Sequence, residues 1–454
     1  MASTNTRGAW SSKTGFILAA AGSAVGLGNI WGFPTQVGQG GGAVFVLVYL
    51  LCVLLICLPI MVAELIVGRA AQLDPVGSFK VLRPHSRWWL VGVLGVLAGA
   101  GILSFYSVIA GWSLAYIWFA GTGAVTGDAE AIGAFFGQFT ANGALSVGLT
   151  AVILGTTAAV LIGGVRSGIE RATKLLMPAL IGLLLILAMR AVTLPGASEG
   201  LSYYLRPDFS RILDPAVLNA ALGQAFFSLS LGMGAMLTYG SYLSKRENLI
   251  TAAGWVVLLD TGMALLAGFI IFPSGFSIEG FDPNASGPGL IFAVLPRLFA
   301  ELPGGQLFGA LFFILLTMAA LTSTISLLEV PVAHVIDTHG WPRPSAVAVV
   351  TTGVFLLAVP SALGNGAVGF LGNLPGLGID FLTLMATIWN NFALPIGGLF
   401  MAIFVGWVWR TDRAATEVEQ HGQRFPGREK WSVLIRWICP VAIGVIIIYT
   451  MVSL

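Results

Sequence analysis

Four carboxylates lie inside or next to long apolar runs of this sequence: Glu64, Asp260, Glu329 and Asp380. Ionisable side chains in such surroundings are costly, and within a membrane they mark functional sites by default. Glu64 lies near the end of its run, where capping or bracing of a helix explains it equally well. Asp260 has no obvious local partner, so we expect it either to bind a proton or to lie beside a cation.

Hydroxyl groups cluster in the motif ALTSTIS, which contains Thr322, Ser323 and Thr324. Together with the carbonyl of Ala319 they supply the oxygen ligands that small hard cations prefer. The alternative is that these hydroxyls only bond back to the preceding helical turn. Tyr106 is a further candidate because its phenol could bind a carboxylate, although any buried tyrosine needs a partner.

The element that must position these groups is the glycine-rich segment 22–34, GSAVGLGNIWGFP. It lies in an apolar run, residues 15–37, that is long enough to span a bilayer. Each interior glycine costs a helix roughly 1 kcal/mol relative to alanine, and backbone groups freed in hydrocarbon need partners. The cluster, with Asn29 and then Pro34, predicts a helix that is unwound at its middle and binds a ligand with its bare backbone. The alternative is a continuous helix whose glycines permit close packing.

The sixth apolar run has the same peculiarity, because residues 226–234 read FFSLSLGMG. Broken helices in the first and sixth spans suggest a five-helix unit used twice, and its odd number of spans makes the second copy inverted. Half-helix ends expose N–H groups that favour anions and carbonyls that favour cations. A site with both suits a zwitterion with metal cations, such as an amino acid with co-transported sodium.

The composition is that of a polytopic membrane protein. Of the 454 residues 57% are hydrophobic and 9% are charged, and the mean hydropathy is +0.90. Eleven apolar runs of spanning length are centred near residues 26, 55, 104, 153, 183, 231, 263, 318, 352, 391 and 443. With a cytoplasmic N-terminus, every Lys and Arg except Arg190, Arg206, Arg211 and Arg297 falls inside, which is a strong positive-inside signal. The odd number of spans then places the C-terminus outside.

We expect a single integral domain over residues 1–454, because no long polar stretch could fold separately. Its repeat units cover about 12–195 and 213–410, and an additional last helix covers about 431–453. The net charge of +2 implies no nucleic-acid partner. The three cysteines lie in apolar runs and are expected to pack rather than to form disulfides or a metal site.

Two other classes of function fit the sequence less well than a transporter does. A membrane-embedded enzyme would need a nucleophile–base pair or a histidine-rich metal set, but none of the four His begins an HExxH motif or lies mid-span. A ligand-sensing receptor would usually add a soluble output domain, for which the sequence has no polar stretch. We therefore expect a transporter and not an enzyme.

Four motifs carry a resemblance to a known family: WSSKTGFILAAAGSAVGLGNIWGFP, GGAVFVLVYLLCVLLICLPIMVAELIVGR, GQAFFSLSLGMG and ALTSTISLLE. From about Arg7 to its C-terminus the chain resembles the neurotransmitter:sodium symporter family, and within it the bacterial branch of eleven-span amino-acid transporters. The resemblance implies an all-α integral membrane fold with eleven transmembrane helices, an inverted five-plus-five repeat and discontinuous helices 1 and 6. It also implies a sodium-coupled secondary symporter that works by alternating access in a bacterial inner membrane. We expect it to contact membrane lipid and to be a monomer or a weak dimer.

The resemblance implies two sodium ions. The first site would use the carbonyl of Ala24, the side chains of Asn29, Ser228 and Asp260, and the substrate carboxylate. The second would use the carbonyls of Gly22, Val25 and Ala319 with the hydroxyls of Thr322 and Ser323.

The substrate site is carried over in the same way. The substrate carboxylate would meet the amides of Leu27 and Gly28 and the phenol of Tyr106, and its ammonium would meet the carbonyls of Ala24, Phe227 and Ser228. The remaining pocket positions are Gly26, Ile102, Phe227, Ser230, Met233, Ser323 and Leu327. Gly26 lies where monoamine-carrying members have an aspartate, so we expect amino acids, and the uncharged pocket favours hydrophobic or aromatic ones.

Asp260 stands where chloride-dependent members of the family have an asparagine. A fixed carboxylate can supply the negative charge itself, so no chloride requirement is expected. Two alternatives stay open for this residue: it takes up a proton when sodium leaves, which would give proton antiport, or it only holds sodium.

The resemblance also assigns gates. Arg7 and Asp337 would pair at the inner gate with Trp10 and Tyr242 nearby, and Gly168 and Pro178 match a motif linked to unwinding of span 5.

At the outer gate the family's Arg-Phe-Pro is replaced here by Gly32-Phe33-Pro34, whereas its acidic partner remains as Asp380. The usual outer arginine–aspartate pair therefore cannot form. We expect Tyr106, Phe227 and the loop 276–303 to close the outer side instead.

Overall fold

The structure is a computed structural model. It describes residues 8–278 except 126 and 128, residues 304–453, and residues 281–284, 291, 292, 295, 296 and 299 of the loop between them. All regular secondary structure in these residues is helical. Residues 1–7, including the predicted gate residue Arg7, and most of the predicted outer loop lie outside the described residues.

We number eleven spans along the described chain: nine helices and one bent pair are long and apolar enough to cross a membrane, and two shorter helices make up the sixth span. Two are interrupted: span 1 comprises Lys13–Ala24 and Gly28–Gln39, and span 6 comprises Pro215–Ser228 and Ala235–Ser241. The uninterrupted ones are span 2 (Ala43–Ala71), span 3 (Trp89–Thr122), span 4 (Gly143–Ile162), span 5 (Val165–Ala191), span 7 (Leu249–Gly275), span 8 (Gly305–His339), span 9 (Arg343–Leu363), span 10 (Phe381–Val408) and span 11 (Arg428–Val452). Each predicted centre falls in one of them, and the centres at 26 and 231 fall in the two interruptions.

Polar caps determine where several of these helices begin. At span 1, Ser12 Oγ accepts a hydrogen bond from Gly15 N at 3.1 Å. Asn142 and Asn248 accept in the same way from the backbone three residues later, at the starts of spans 4 and 7. These bonds satisfy N–H groups that have no partner inside the helix.

The interruption of span 1 is a change of direction. The first helix ends at Ala24 because Val25 adopts an extended backbone, with ψ of 109°. The second half meets the first at 51° and opens with a π-helical turn, Gly28–Gly32, that carries Asn29. The predicted unwinding at the middle of this segment is therefore present.

The interruption of span 6 contains three residues with left-handed backbone. Ser230, Gly232 and Gly234 have φ values of +53°, +79° and +75°. Glycine adopts this region without steric cost, so the two glycines let the chain leave one helix and start the next within a few residues.

The interior of the protein is formed by the spans that carry these breaks and their neighbours. Spans 3 and 8 pack along each other, and spans 2, 3 and 8 are mostly buried. Spans 4, 5, 9 and 11 are largely exposed and apolar, as the contact with lipid tails requires. The packing brings the two interruptions together at the centre of the described chain.

Candidate functional site

The interrupted parts of spans 1 and 6 are hydrogen-bonded to each other. Ser230 Oγ donates to the carbonyl of Ser23 at 2.9 Å, and Gln224 Nε2 donates to the carbonyl of Gly28 at 2.7 Å. The Ser23 carbonyl, which the break leaves without a helical partner, is thus bound by a side chain of span 6, and the Gly28 carbonyl accepts from Gln224 in addition to Phe33 N.

Asn29, Ser228 and Asp260 form a group on one side of the break in span 1, which we call the carboxylate cluster. Asn29 Nδ2 donates to Asp260 Oδ1 at 2.7 Å, and Ser228 Oγ lies 2.9 Å from Asp260 Oδ2. Asn29 Oδ1 accepts from Gly26 N at 3.0 Å, which ties the cluster to the unwound backbone. All three side chains are buried, so the oxygens of Asp260 face neutral polar groups rather than water. The structure therefore brings together the three side chains predicted for the first sodium site.

Two further polar side chains, Tyr49 and Gln224, lie next to this cluster. Tyr49 OH is 3.5 Å from Ser228 Oγ, and Gln224 is bonded to the Gly28 carbonyl. Asp260 thus places its carboxylate beside Ser228, where the sequence predicts a fixed negative charge.

A hydroxyl cluster lies on span 8 beside the same break. Thr322 Oγ1 is 2.8 Å from the carbonyl of Ala319 and 3.3 Å from that of Val25. Ser323 Oγ is 3.4 Å from the Val25 carbonyl and 3.3 Å from that of Ser23. Both hydroxyls therefore lie within hydrogen-bonding distance of the Ala319 carbonyl in their own helix and of carbonyls at the break in span 1. Gly22 lies one residue before Ser23, and Ser23 is a contact that the sequence reasoning did not name.

A small cavity lies beside the hydroxyl cluster at the break in span 1. Its volume is about 20 Å³, enough for roughly one water molecule, so side chains must move apart to admit an amino acid. Leu27 N donates to Tyr106 OH at 2.9 Å, and a side chain at Gly26 would collide with the hydroxyls of Tyr106 and Ser323. The predicted pocket residues that line the cavity are Ala24, Gly26, Gly28, Ile102, Tyr106, Phe227, Ser230, Met233, Ser323 and Leu327.

A larger cavity of about 360 Å³ lies beyond Tyr106 and Phe227, which line both cavities. Gly32 lines it too, and a Cβ at that position would lie 2.9 Å from Gln224 Oε1. Asp380 has a local role instead of a contact across this cavity. Its carboxylate caps the start of span 10, accepting from Thr383 N at 2.9 Å and from Thr383 Oγ1 at 2.6 Å.

The opposite end of the protein is closed by contacts of the N-terminal segment. Trp10 Nε1 donates to the carbonyl of Tyr239 at 3.0 Å, and Trp10 N donates to that of Tyr242 at 3.4 Å. Tyr242 OH donates to Glu329 at 2.6 Å, and Glu329 is paired with Arg343. The structure thus brings Trp10 and Tyr242 together, as the resemblance implies.

The other inner-gate residues lie nearby. Asp337 accepts a hydrogen bond from Asp74 N at 2.8 Å, while its predicted partner Arg7 is outside the described residues. Span 5 is continuous through Gly168 and Pro178. Gly168 packs so closely against the Val160 carbonyl at the end of span 4 that no side chain would fit there.

Sequence reasoning missed Glu170, which lies between Gly168 and Pro178 and is buried. Its carboxylate accepts from Ser11 N at 2.7 Å, from Ser11 Oγ at 2.5 Å and from Lys174 Nζ at 2.6 Å. It therefore holds the N-terminal segment against span 5. The lysine four residues after it, on the same helical face, was the available signal.

Glu64 braces the interruption of span 6. Its Oε1 accepts from Gly232 N at 2.7 Å, inside the interruption of span 6. A backbone N–H that the break leaves without a helical partner is satisfied in this way.

The donor set around the central cavity suits small hard cations. It consists of carbonyls, hydroxyls, one amide and one carboxylate, which are oxygen ligands. Within the described residues no group of three or more His, Cys, Asp or Glu could hold a transition metal. The donor chemistry therefore favours hard cations over transition metals.

Comparison with known proteins agrees with this geometry. A sequence model of the sodium:neurotransmitter symporter family matches residues 7–127 and 131–454. The chain is 38% identical to the uncharacterized sodium-dependent transporter YhdH of Bacillus subtilis, over 96% of each chain. It is 28% identical to the sodium-dependent serotonin transporter of Drosophila melanogaster, over 99% of this chain and 77% of that protein.

A solved structure supports the same assignment. The crystal structure of MhsT in complex with L-phenylalanine has a TM-score of 0.89 with this chain at 45% identity, covering 97% of this chain and 99% of MhsT. The predicted all-α fold with interrupted helices 1 and 6 is confirmed. This chain belongs to the sodium:neurotransmitter symporter family.

Proposed function

We propose that this sodium-dependent transporter imports hydrophobic or aromatic L-amino acids by alternating access. The observation that carries the proposal is the break in span 1, where the Leu27 amide meets the Tyr106 phenol and the backbone contacts both the carboxylate cluster and the hydroxyl cluster. An amide and a phenol bind a carboxylate, and oxygen clusters on either side bind cations.

The substrate class follows from the walls of the cavity. Ile102, Phe227, Met233 and Leu327 are uncharged, and methionine adapts its shape to different apolar groups. Gly26 leaves no charged side chain to meet an amine, so the substrate brings its own carboxylate. MhsT, a relative with the same fold, was crystallised with L-phenylalanine.

Coupling arises because the cations and the substrate share the break in span 1. The backbone of residues 23–28 lies between Asp260 on one side and Thr322 on the other. Two sodium ions bound to these clusters would order that backbone and raise its affinity for the substrate. Asp260 supplies a negative charge within the carboxylate cluster, so transport is independent of chloride. Release of sodium would allow Asp260 to take up a proton, which would give proton antiport.

The gates are assigned from the two ends of the molecule. The larger cavity reaches Tyr106 and Phe227, whereas Trp10, Tyr242 and Glu329 join the inner ends of spans 1, 6 and 8. Import requires Tyr106 and Phe227 to close over the substrate. It also requires the contacts of Trp10, Tyr242 and Glu329 to separate. Unwinding of span 5 between Gly168 and Pro178 would free the inner side.

We also propose an orientation and a setting. The positive-inside distribution favours a cytoplasmic N-terminus and an external C-terminus in a bacterial inner membrane. The repeat units are residues 12–195 and 213–410, and the protein acts as a monomer or weak dimer.

The decisive experiment is counterflow in proteoliposomes. Vesicles loaded with unlabelled phenylalanine should accumulate external labelled phenylalanine when sodium is present, and leucine should compete better than lysine or tryptamine. Equal counterflow with potassium in place of sodium would contradict the coupling, and tighter sodium-dependent binding of tryptamine than of tryptophan would contradict the substrate class. Binding without counterflow would indicate a receptor.

A further inference from the structure

A groove at one end of span 3 is separate from the central site. Its volume is about 470 Å³, within the range of small-molecule sites. Trp88, Leu90, Val91 and Leu94 form one wall and Phe400 of span 10 contributes to the other. Trp88 stacks edge-on against Phe400, with ring centres 6.2 Å apart, so the groove is bounded by rigid aromatic groups.

The walls of the groove face lipid. Leu90 is 49% exposed and Phe400 is 40% exposed, and Leu97, two turns further along span 3, is 52% exposed. Since both helices cross the membrane, these apolar side chains are covered by acyl chains. Trp88 and Trp89 mark the level at which span 3 leaves the hydrocarbon, because tryptophan concentrates at that interface.

The end of the groove at this interface is strongly basic. Ser86 and Arg87 line the groove there, and Lys80 and Arg83 lie on the same short segment. No Asp or Glu occurs between Asp74 and Asp128 in the sequence.

These cations have no carboxylate partner in the part of the chain that the structure describes. Among the described residues, Lys80, Arg83 and Arg87 form no ion pair, whereas Lys174 and Arg343 at the same end of the protein do. Lys80 Nζ instead lies 5.7 Å from the ring centre of Trp89. The segment thus carries uncompensated positive charge beside an apolar groove.

We propose that this groove binds an anionic phospholipid, with one acyl chain between spans 3 and 10 and the phosphate on Arg87. The apolar walls match the acyl chain of a phospholipid, and the cationic end of the groove matches its anionic headgroup. The two regions follow each other along the groove as the acyl chain and headgroup do in the lipid. Basic pockets between transmembrane helices at the cytoplasmic side bind anionic headgroups in this way, and the guanidinium fork suits a phosphate.

The test uses the purified full-length protein in detergent. Retention of added phosphatidylglycerol is measured by native mass spectrometry against phosphatidylcholine of the same chain length. Phosphatidylglycerol should bind more tightly, and Arg87→Gln should weaken it about fivefold, since one basic side chain near a lipid surface is worth about 1 kcal/mol. Arg413→Gln is the matched control, because Arg413 is an exposed cation at the same end of the protein but outside the groove.

A second variant keeps the test independent of Arg87. Leu90→Glu places a negative charge on an exposed wall position and should abolish the preference for phosphatidylglycerol over phosphatidylcholine. Unchanged affinity in both variants, an equal loss in Arg413→Gln, or equal binding of the two lipids would overturn the proposal. Displacement of the lipid by millimolar inorganic phosphate would overturn it too, because the groove would then recognise a free anion.

Discussion

The hydroxyl of Thr322 is the sharpest point at which the proposed sodium coupling can be tested. Its Oγ1 is buried and lies 3.3 Å from the Val25 carbonyl at the break in span 1. Thr322→Val preserves the side-chain shape and removes this oxygen. A hydrogen bond or ligand contact to a charged group contributes about 1.5–3 kcal/mol, so the sodium concentration for half-maximal substrate binding should rise about 10- to 150-fold.

Thr324 provides a matched control two residues later. Its Oγ1 is equally buried but faces span 4, 2.8 Å from Thr157 Oγ1 and 2.9 Å from the Leu321 carbonyl. Thr324→Val should cost a similar amount of folding stability, about 1 kcal/mol for the lost hydrogen bond, without changing the sodium dependence.

The assay is binding of labelled phenylalanine to purified protein across a sodium titration, with the melting temperature measured in parallel. Equal shifts of the sodium midpoint in both variants would mean that the effect is structural. An unchanged midpoint in Thr322→Val would refute the assignment of this hydroxyl as a ligand.

Three further predictions concern the carboxylates of Asp260, Asp380 and Glu170. Asp260→Asn removes the charge beside Asn29, so transport should either fail or become chloride-stimulated, while uptake by the native protein should be unchanged when gluconate replaces chloride; chloride-dependent native uptake would contradict this. Asp380→Asn should reduce uptake less than tenfold, because its carboxylate caps span 10 and Gly32 provides no gate partner; a larger loss would show another essential contact. Glu170→Gln should speed hydrogen–deuterium exchange of residues 8–15, because it weakens the bonds to Ser11. Substitution of Lys174, whose side chain is half-exposed, should have little effect on this exchange. Exchange in Glu170→Gln at the rate of the native protein would show that other contacts hold this segment.

The fold class could be predicted because its determinants are local. The length of each apolar run sets the number of spans, and the glycines at 22–34 and 226–234 set the places where helices cannot continue. Both interruptions occur where the composition indicates them, at Val25 and at Ser230. In a membrane, unpaired backbone is so costly that a glycine-rich, polar stretch inside an apolar run has few structural explanations.

The partners of the polar side chains were decided by tertiary structure alone. Asn29 and Asp260 are 231 positions apart, and Glu170 and Ser11 are 159 apart. No periodicity in the sequence relates such positions, since their contact depends on how spans 1, 5 and 7 pack. The family resemblance anticipated the first of these pairs but not the second.

The size of the central cavity also comes from packing. Pocket residues can be listed from motifs, but their separation depends on side-chain positions across four helices. By itself the sequence determined where the chain must cross the membrane and where its helices must break. The tertiary structure decided which freed backbone groups meet which side chains, because those contacts form only when distant spans pack together.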